Sequence, residues 1–300
     1  MKIQTNGITI EYEDTGASGG QADRPAVLLI MGLGMQLIAW PDAFVDALVD
    51  AGFRVLRHDN RDCGMSDGFG HAPQRHLLWE TLRARLGLRI RSPYTVQDMA
   101  EDALGLLSAL GIARAHVIGA SMGGMIAQRM AATAPQAVIS LTSIMSSSGA
   151  RGLPGPRREV LQGLWRLSGQ HGEAGLLAQS LGVNRLVASP AFPQDEATLR
   201  ERILLGLRRG YRPDGLVRQI LAVGADTERA ALLSRIACPT LVLHGEADPL
   251  LPIECGRDTA RRIPGARFVA FPGMGHDLPP GVVTLLLGEI IPFLQRKNGN

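Results

Sequence analysis

The chain has 300 residues, 45% of them hydrophobic and 20% charged, with a formal net charge of +3. This balance suits a globular fold with a sizeable core and excludes a disordered or fibrous chain. Lysine occurs only at Lys2 and Lys297, and the arginines are interleaved with acids; the concentrated basic patch that nucleic-acid binding needs is absent from the pattern, so no nucleic-acid partner is expected.

In chain order, "GITIEYED" (Gly7–Asp14) alternates like a half-buried strand. "ASGGQADRP" reads as a surface loop, and "AVLLIM" (Ala26–Met31) as a strand covered on both faces. "PDAFVDALVDAG" has helical spacing at Phe44, Val45, Leu48 and Val49, with a proline near its start and Gly52 after its end. "FRVLRHDN" is the next strand. After a long connection, Val96, Met99, Ala103, Leu106, Leu107 and Leu110 mark a helix. "AHVIGAS" is a strand, "GGMIAQRMAATAP" a helix stopped by Pro135, and "AVISLTSIM" a strand.

Alternation then stops. From Ser148 to Ser234 the chain reads as loops and helices: "REVLQGLWRL", "EAGLLAQSL", "EATLRERILLGLRRG", "DGLVRQILAV". It returns with the strand "PTLVLHG", a helix around "IECGRDTARRI", the strand "ARFVAFPG" and a last helix, "VVTLLLGEIIPFLQR". Strand–helix alternation implies an α/β fold, a mostly parallel sheet with helices on both faces. The helical block is expected as an insertion over one end of it: core at 1–147, cap at 148–234, core again at 235–300. Ligands of such sheets bind beyond the carboxyl ends of the strands, where the cap would roof a pocket.

The three cysteines, Cys63, Cys238 and Cys255, are far apart and form no C-x-x-C pair. Neither a zinc site nor a disulfide framework is suggested, and a cytoplasmic location is expected. "MKIQTNGITIEYED" lacks the apolar core of a signal peptide, and "AVLLIMGLGMQLIAW" is too short and glycine-rich for a transmembrane helix. No metal cluster or dinucleotide fingerprint stands out, so no metal or cofactor is expected.

Chemistry concentrates in Gly119-Ala120-Ser121-Met122-Gly123. This is G-x-S-x-G with a strand before and a helix after, the context in which a serine is presented on a strained turn. The Met122 backbone N–H, at the helix start, is a candidate oxyanion donor. A serine hydroxyl needs a base, and the base an orienting acid. Of seven histidines, His276 lies in "FPGMGHDLP", between the last strand and the last helix, on the Ser121 side of the sheet. His244, inside "LVLHG", reads as packed or locally bonded, and His58, before a turn, as structural. His116 opens a strand at the wrong end, and His71, His76 and His171 fall in polar or loop segments. Asp248 in "LHGEADPLLP" is the candidate acid, with Glu246 as the fallback and a turn cap as its alternative role. The segment after the next strand, "SLTSIMSSSGA", offers no acid. The second oxyanion donor is placed at the Leu33 N–H in "MGLG", with Gly34 as the alternative.

With "IMGLG", "HDNRDCGMS", "GASMGG", "HGEADPL" and "GMGHDLP" in place, the chain resembles the α/β-hydrolase superfamily over nearly its whole length. Within it, the chain is most similar to bacterial esterases of the aclacinomycin-methylesterase type, through Met31-Gly32, "WPDAF", the turn His58–Ser66, "SMG" and "GMGHDLP". In that turn Asp59 and Arg61 are read as fixing the loop. The resemblance implies a carboxylesterase with a Ser121–His276–Asp248 triad acting on a small-molecule ester. Leucines of the helical block, with Trp165, suggest an apolar acyl or aromatic pocket. A serine at the elbow argues against haloalkane dehalogenases and epoxide hydrolases, which use aspartate there, and dienelactone hydrolases, which use cysteine. Perhydrolase (haloperoxidase-like), carbon–carbon bond hydrolase and acyltransferase chemistry remain open, as does a non-catalytic receptor on the same scaffold. One departure is "HAPQRHLLWETLRARLGLRIRSP" (His71–Pro93), longer than the connection expected there, read as an extra surface helix or a second lid element.

Overall fold

The apolar runs assemble side by side. In the computed structural model, which describes residues 1–17, 22–70, 79, 80, 83, 86, 88–167, 169 and 171–296, eight strands form one sheet. They are β1 (Lys2–Thr5), β2 (Ile8–Asp14), β3 (Ala26–Ile30), β4 (Arg54–His58), β5 (Ala115–Ala120), β6 (Val138–Ile144), β7 (Thr240–Gly245) and β8 (Arg267–Phe271), in the spatial order β1-β2-β4-β3-β5-β6-β7-β8. β2 runs antiparallel to β1 and β4, and every pairing from β4 to β8 is parallel.

The central strands are mostly apolar because both faces are covered. β3, β5 and β7 are buried along their whole length. Their side chains still divide with a period of two. Leu28 and Ile30 of β3 and Val117 of β5 pack with α2 (Val96–Ala109) and α3 (Met122–Thr133). Val27 and Leu29 of β3 and Ile118 of β5 pack on the other face with α1 (Asp42–Asp50) and the last helix, α10 (Pro280–Gln295). Each aliphatic side chain so buried contributes about 1.5–3 kcal/mol. Thr95 and Asp98 close a capping box at the start of α2.

The chain leaves β3 for α1 on one face and β5 for α3 on the other. The crevice between the carboxyl ends of β3 and β5 is therefore the place where a ligand site is built in this architecture. Between β6 and β7 lie α4 (Arg158–Leu167), α5 (Gly172–Val187), α6 (Glu196–Gly210), α7 (Pro213–Ala225) and the short α8 (Arg229–Leu232); α9 (Ile253–Arg262) follows β7. α5 is longer than the "EAGLLAQSL" pattern, running on through Val187. Most of His71–Pro93, and the Trp165 side chain, lie outside the described residues.

The helical segment is fastened to the core by arginines. Arg218 of α7 makes a two-pronged pair with Asp62, at 2.7 Å for each bond, and Arg209 of α6 reaches Asp59 at 2.6 Å. Both acids are fully buried, so stripping either of its arginine would cost about 3–5 kcal/mol. Among the described residues, no helix is long and apolar enough to cross a membrane.

Candidate active site

Ser121 stands between β5 and α3 with φ 55° and ψ −119°. Such a conformation costs about 1–3 kcal/mol and persists only where its surroundings enforce it. Here the enforcing contacts are close. A Cβ on Gly119 would overlap the Gly123 carbonyl, and one on Gly123 would overlap the Ile30 carbonyl. The Ser121 N–H donates to Ile144 O at 2.9 Å, and the Ser146 hydroxyl donates to Ser121 O at 2.7 Å. The elbow thus needs glycine on both sides, and its strained peptide is clamped by β6.

The three sequence-predicted side chains meet. The Ser121 hydroxyl lies 3.0 Å from His276 Nε2, and His276 Nδ1 lies 2.7 Å from Asp248 Oδ2. A carboxylate only accepts, so Nδ1 carries the proton and Nε2 is free to receive one from the serine. Asp248 is 1% exposed. Burial alone would raise its carboxyl, but the His276 imidazole, the Leu251 N–H and His244 together hold it below its ordinary value. Both roles read for Asp248 occur at once: Oδ2 faces His276 while Oδ1 accepts from the Leu250 and Leu251 N–H groups at 2.9 and 2.8 Å. Glu246, the fallback acid, is exposed.

The loop expected to carry the second oxyanion donor follows β3. A Cβ on Gly32 would lie 3.1 Å from Ser121 Cβ and 3.6 Å from its Oγ, so the loop passes directly beside the serine. The Gly34 N–H is taken by Gln219 Oε1 at 2.8 Å, which removes it as the alternative donor. Neither the Leu33 nor the Met122 N–H has a hydrogen-bond acceptor among the described residues. Met122 opens its helix and so lacks an intrahelical acceptor.

Other histidines behave as the pattern implied. His116 is buried with Nδ1 at 2.7 Å from the Ser140 hydroxyl. His58 is buried, and desolvation pushes its pKa down to about 4, only partly offset by Asn60. His244 donates from Nε2 to Leu251 O at 2.7 Å, but it also lies 3.6 Å from Asp248 Oδ2. Its closeness to the acid escaped the sequence reading; the only local signal was its spacing of four residues from Asp248. Asp59 fixes the loop as expected, accepting from the Leu37 N–H at 2.7 Å and the Met65 N–H at 2.8 Å. Arg61 ties the same loop to α2 through Asp102, at 2.6 Å through each of Nε and Nη2. Among the described residues, no group of three or more His, Cys, Asp or Glu side chains is placed to hold a metal ion.

The profile of the alpha/beta hydrolase fold family matches residues 25–279. The rhodomycin D methylesterase of Streptomyces sp. strain C5 is 32% identical over 290 residues, covering 91% of both chains. A 2-hydroxy-6-oxononadienedioate/2-hydroxy-6-oxononatrienedioate hydrolase of Pseudomonas sp. is 29% identical over 263 residues, covering 83% of this chain and 81% of its own. A hydrolase of known structure from Pseudomonas aeruginosa superposes with a TM-score of 0.72 at 27% identity, covering 100% of this chain and 98% of that one.

Proposed function

The chain belongs to the alpha/beta hydrolase fold family, and from that premise we propose that it hydrolyses carboxylic esters with Ser121 as nucleophile, His276 as general base and acid, and Asp248 as the orienting carboxylate. The observation that carries this reading is the Ser121–His276–Asp248 relay, at 3.0 and 2.7 Å, beside two unengaged backbone N–H groups at the carboxyl ends of β3 and β5.

Ser121 Oγ attacks the ester carbonyl as its proton passes to His276 Nε2. Asp248 stabilises the imidazolium and holds the ring in its tautomer. The Leu33 and Met122 N–H groups bind the oxyanion, each donor worth about 10²–10³ in rate. His276 then gives its proton to the departing alcohol, leaving an acyl-serine. A water molecule, deprotonated by His276, attacks that ester, and collapse returns the serine and releases the acid.

The family resemblance and the 32% identity to a methylesterase support a small leaving alcohol. Residues 148–234 act as a cap over this site, and its inner wall favours an apolar or aromatic acyl part. Supporting this, Leu216 of α7 comes so close to the oxyanion loop that a Cβ on Gly34 would lie 2.9 Å from its Cδ1. The 29% identity to a hydrolase named for an oxo-dienedioate favours carbon–carbon bond cleavage as the second reading, since the same triad serves both.

A p-nitrophenyl ester series from acetate to palmitate, with methyl esters of aromatic acids alongside, separates these readings when wild type and Ser121→Ala are assayed in parallel. Turnover that collapses in the variant supports the esterase. Wild type inert on every ester but active on a 2-hydroxy-6-oxo-dienoate supports the second reading.

A further inference from the structure

The loop that carries His276 is held from two sides. Toward the sheet, the Glu246 N–H donates to Phe271 O and the Ala247 N–H to Met274 O, each at 3.0 Å, which ties it to the Asp248 loop. The opposite side is held by residues 187–192, the strap joining α5 to α6. The His276 N–H itself donates to Val187 O at 2.7 Å. The Gly275 N–H donates to Ser189 Oγ at 2.8 Å. The Ser189 N–H donates to Asp277 Oδ1 at 3.0 Å, and the Ser189 hydroxyl donates to the same oxygen. The Ala191 N–H donates to Gly273 O at 3.3 Å.

Three consecutive residues with the histidine at their centre are thus pinned to the helical segment. The fit has no slack. A Cβ on Gly275 would sit 2.5 Å from both the Val187 and Ala188 carbonyl oxygens, and one on Gly273 would overlap Ala191 Cβ. Ser189 is 3% exposed. Among the described residues no lysine or arginine pairs with Asp277, although its burial lifts its carboxyl above the ordinary value against the pull of Ser189 and His276. A carboxylate in such a place is costly unless its hydrogen bonds are needed there.

We propose that Ser189 and Asp277 are positioning residues for His276: through them the strap fixes the imidazole where it reaches both Ser121 and Asp248, so the helical segment is part of the catalytic device as well as a pocket wall. This rests on the reading of His276 as the general base. The two bonds of the imidazole span 3.0 and 2.7 Å, and a displacement of 1 Å in such a relay costs about 10²-fold in rate.

The test compares Ser189→Ala, Asp277→Ala and Asp277→Asn in the full chain, reading p-nitrophenyl butyrate kinetics, the rate of Ser121 phosphonylation by a fluorophosphonate, and thermal unfolding. Asparagine keeps the oxygen that accepts both Ser189 bonds. The expected result is a fall in kcat of about 10- to 100-fold in both alanine variants with KM within about threefold. Phosphonylation slows by the same factor, the asparagine variant stays within about threefold of wild type, and all three are folded at the assay temperature. Should an alanine variant not fold, Ser189→Cys, which keeps the volume and weakens both bonds, gives the same reading. A kcat within about twofold of wild type, a rise confined to KM, or an asparagine variant as poor as alanine would overturn the proposal. A wild type that neither turns over esters nor labels at Ser121 would remove the base itself and overturn the triad reading with it.

Discussion

Gln219 offers the sharpest test of how the helical segment builds the oxyanion loop. It lies on α7, fully buried, and bridges two backbone groups. Its Oε1 accepts from the Gly34 N–H and its Nε2 donates to Arg61 O, both at 2.8 Å. Gly34 turns the loop in the left-handed region, with φ +67°, immediately after Leu33. By engaging the Gly34 amide, Gln219 fixes the direction in which the Leu33 amide points. Gln219→Met keeps the volume and removes both polar atoms. The buried Arg61 carbonyl then loses its partner, at about 1–3 kcal/mol, while the Gly34 amide, on an exposed residue, can turn to water. In a chain of this size that lowers the thermal unfolding midpoint by about 2 °C or more. A mis-aimed Leu33 amide lowers kcat about tenfold or more, part of the 10²–10³ that loss of a whole donor costs. Thermal unfolding and p-nitrophenyl butyrate kinetics read the two effects. An unchanged midpoint with kcat within about twofold of wild type would refute the reasoning.

Three further outcomes follow from the same geometry. Asp248→Asn keeps the shape of the site but favours the wrong imidazole tautomer; kcat falls about 10⁴-fold with KM little changed, and a fall of less than about tenfold would mean that the carboxylate does not orient His276. Gly123→Ala drives a Cβ into the Ile30 carbonyl and yields insoluble protein, whereas Gly265→Ala, with open space around it and φ +68°, costs only about 1–2 kcal/mol of left-handed strain; equal solubility and midpoints for the two would contradict the packing argument. His58 is buried with its pKa pushed down to about 4. The unfolded chain therefore takes up the proton first, and stability complete above the unfolded value near 6.5 falls as pH drops toward 4. The loss from this group is about 3 kcal/mol. Urea unfolding at pH 7.5, 5.5 and 4.5 should show a shallower fall in His58→Phe, and parallel curves would exclude His58 as the cause.

The local parts of this structure were legible because they are written in local periods. The largely apolar runs of β3, β5 and β7 mark the centre of the sheet, and Gly119 and Gly123 around Ser121 mark the elbow. His276 and Asp248 could be placed from which end of a strand each follows, since parallel strands present all their carboxyl ends on one edge. The spatial meeting of the side chains follows from that topology. What stayed hidden depends on pairs far apart in the chain. Gln219 sits beside Arg218 in "GLVRQILAV", where polar residues in an otherwise apolar helix carry no address; its partners are Gly34 and Arg61, 185 and 158 residues away. Asp277 follows the histidine directly in its motif, but no local pattern names its partner, because Ser189 lies 88 residues earlier. Arg61 fixes the loop after β4, but the carboxylate through which it does so, Asp102 on α2, lies 41 residues away.

The most direct test of the central claim is to treat the protein with a fluorophosphonate and map the adduct by peptide mass spectrometry. Ser121, activated by His276 at 3.0 Å, should be the labelled residue, with ester turnover lost in proportion to labelling and both absent in Ser121→Ala. An adduct on another residue, or undiminished turnover by Ser121→Ala, would contradict the account.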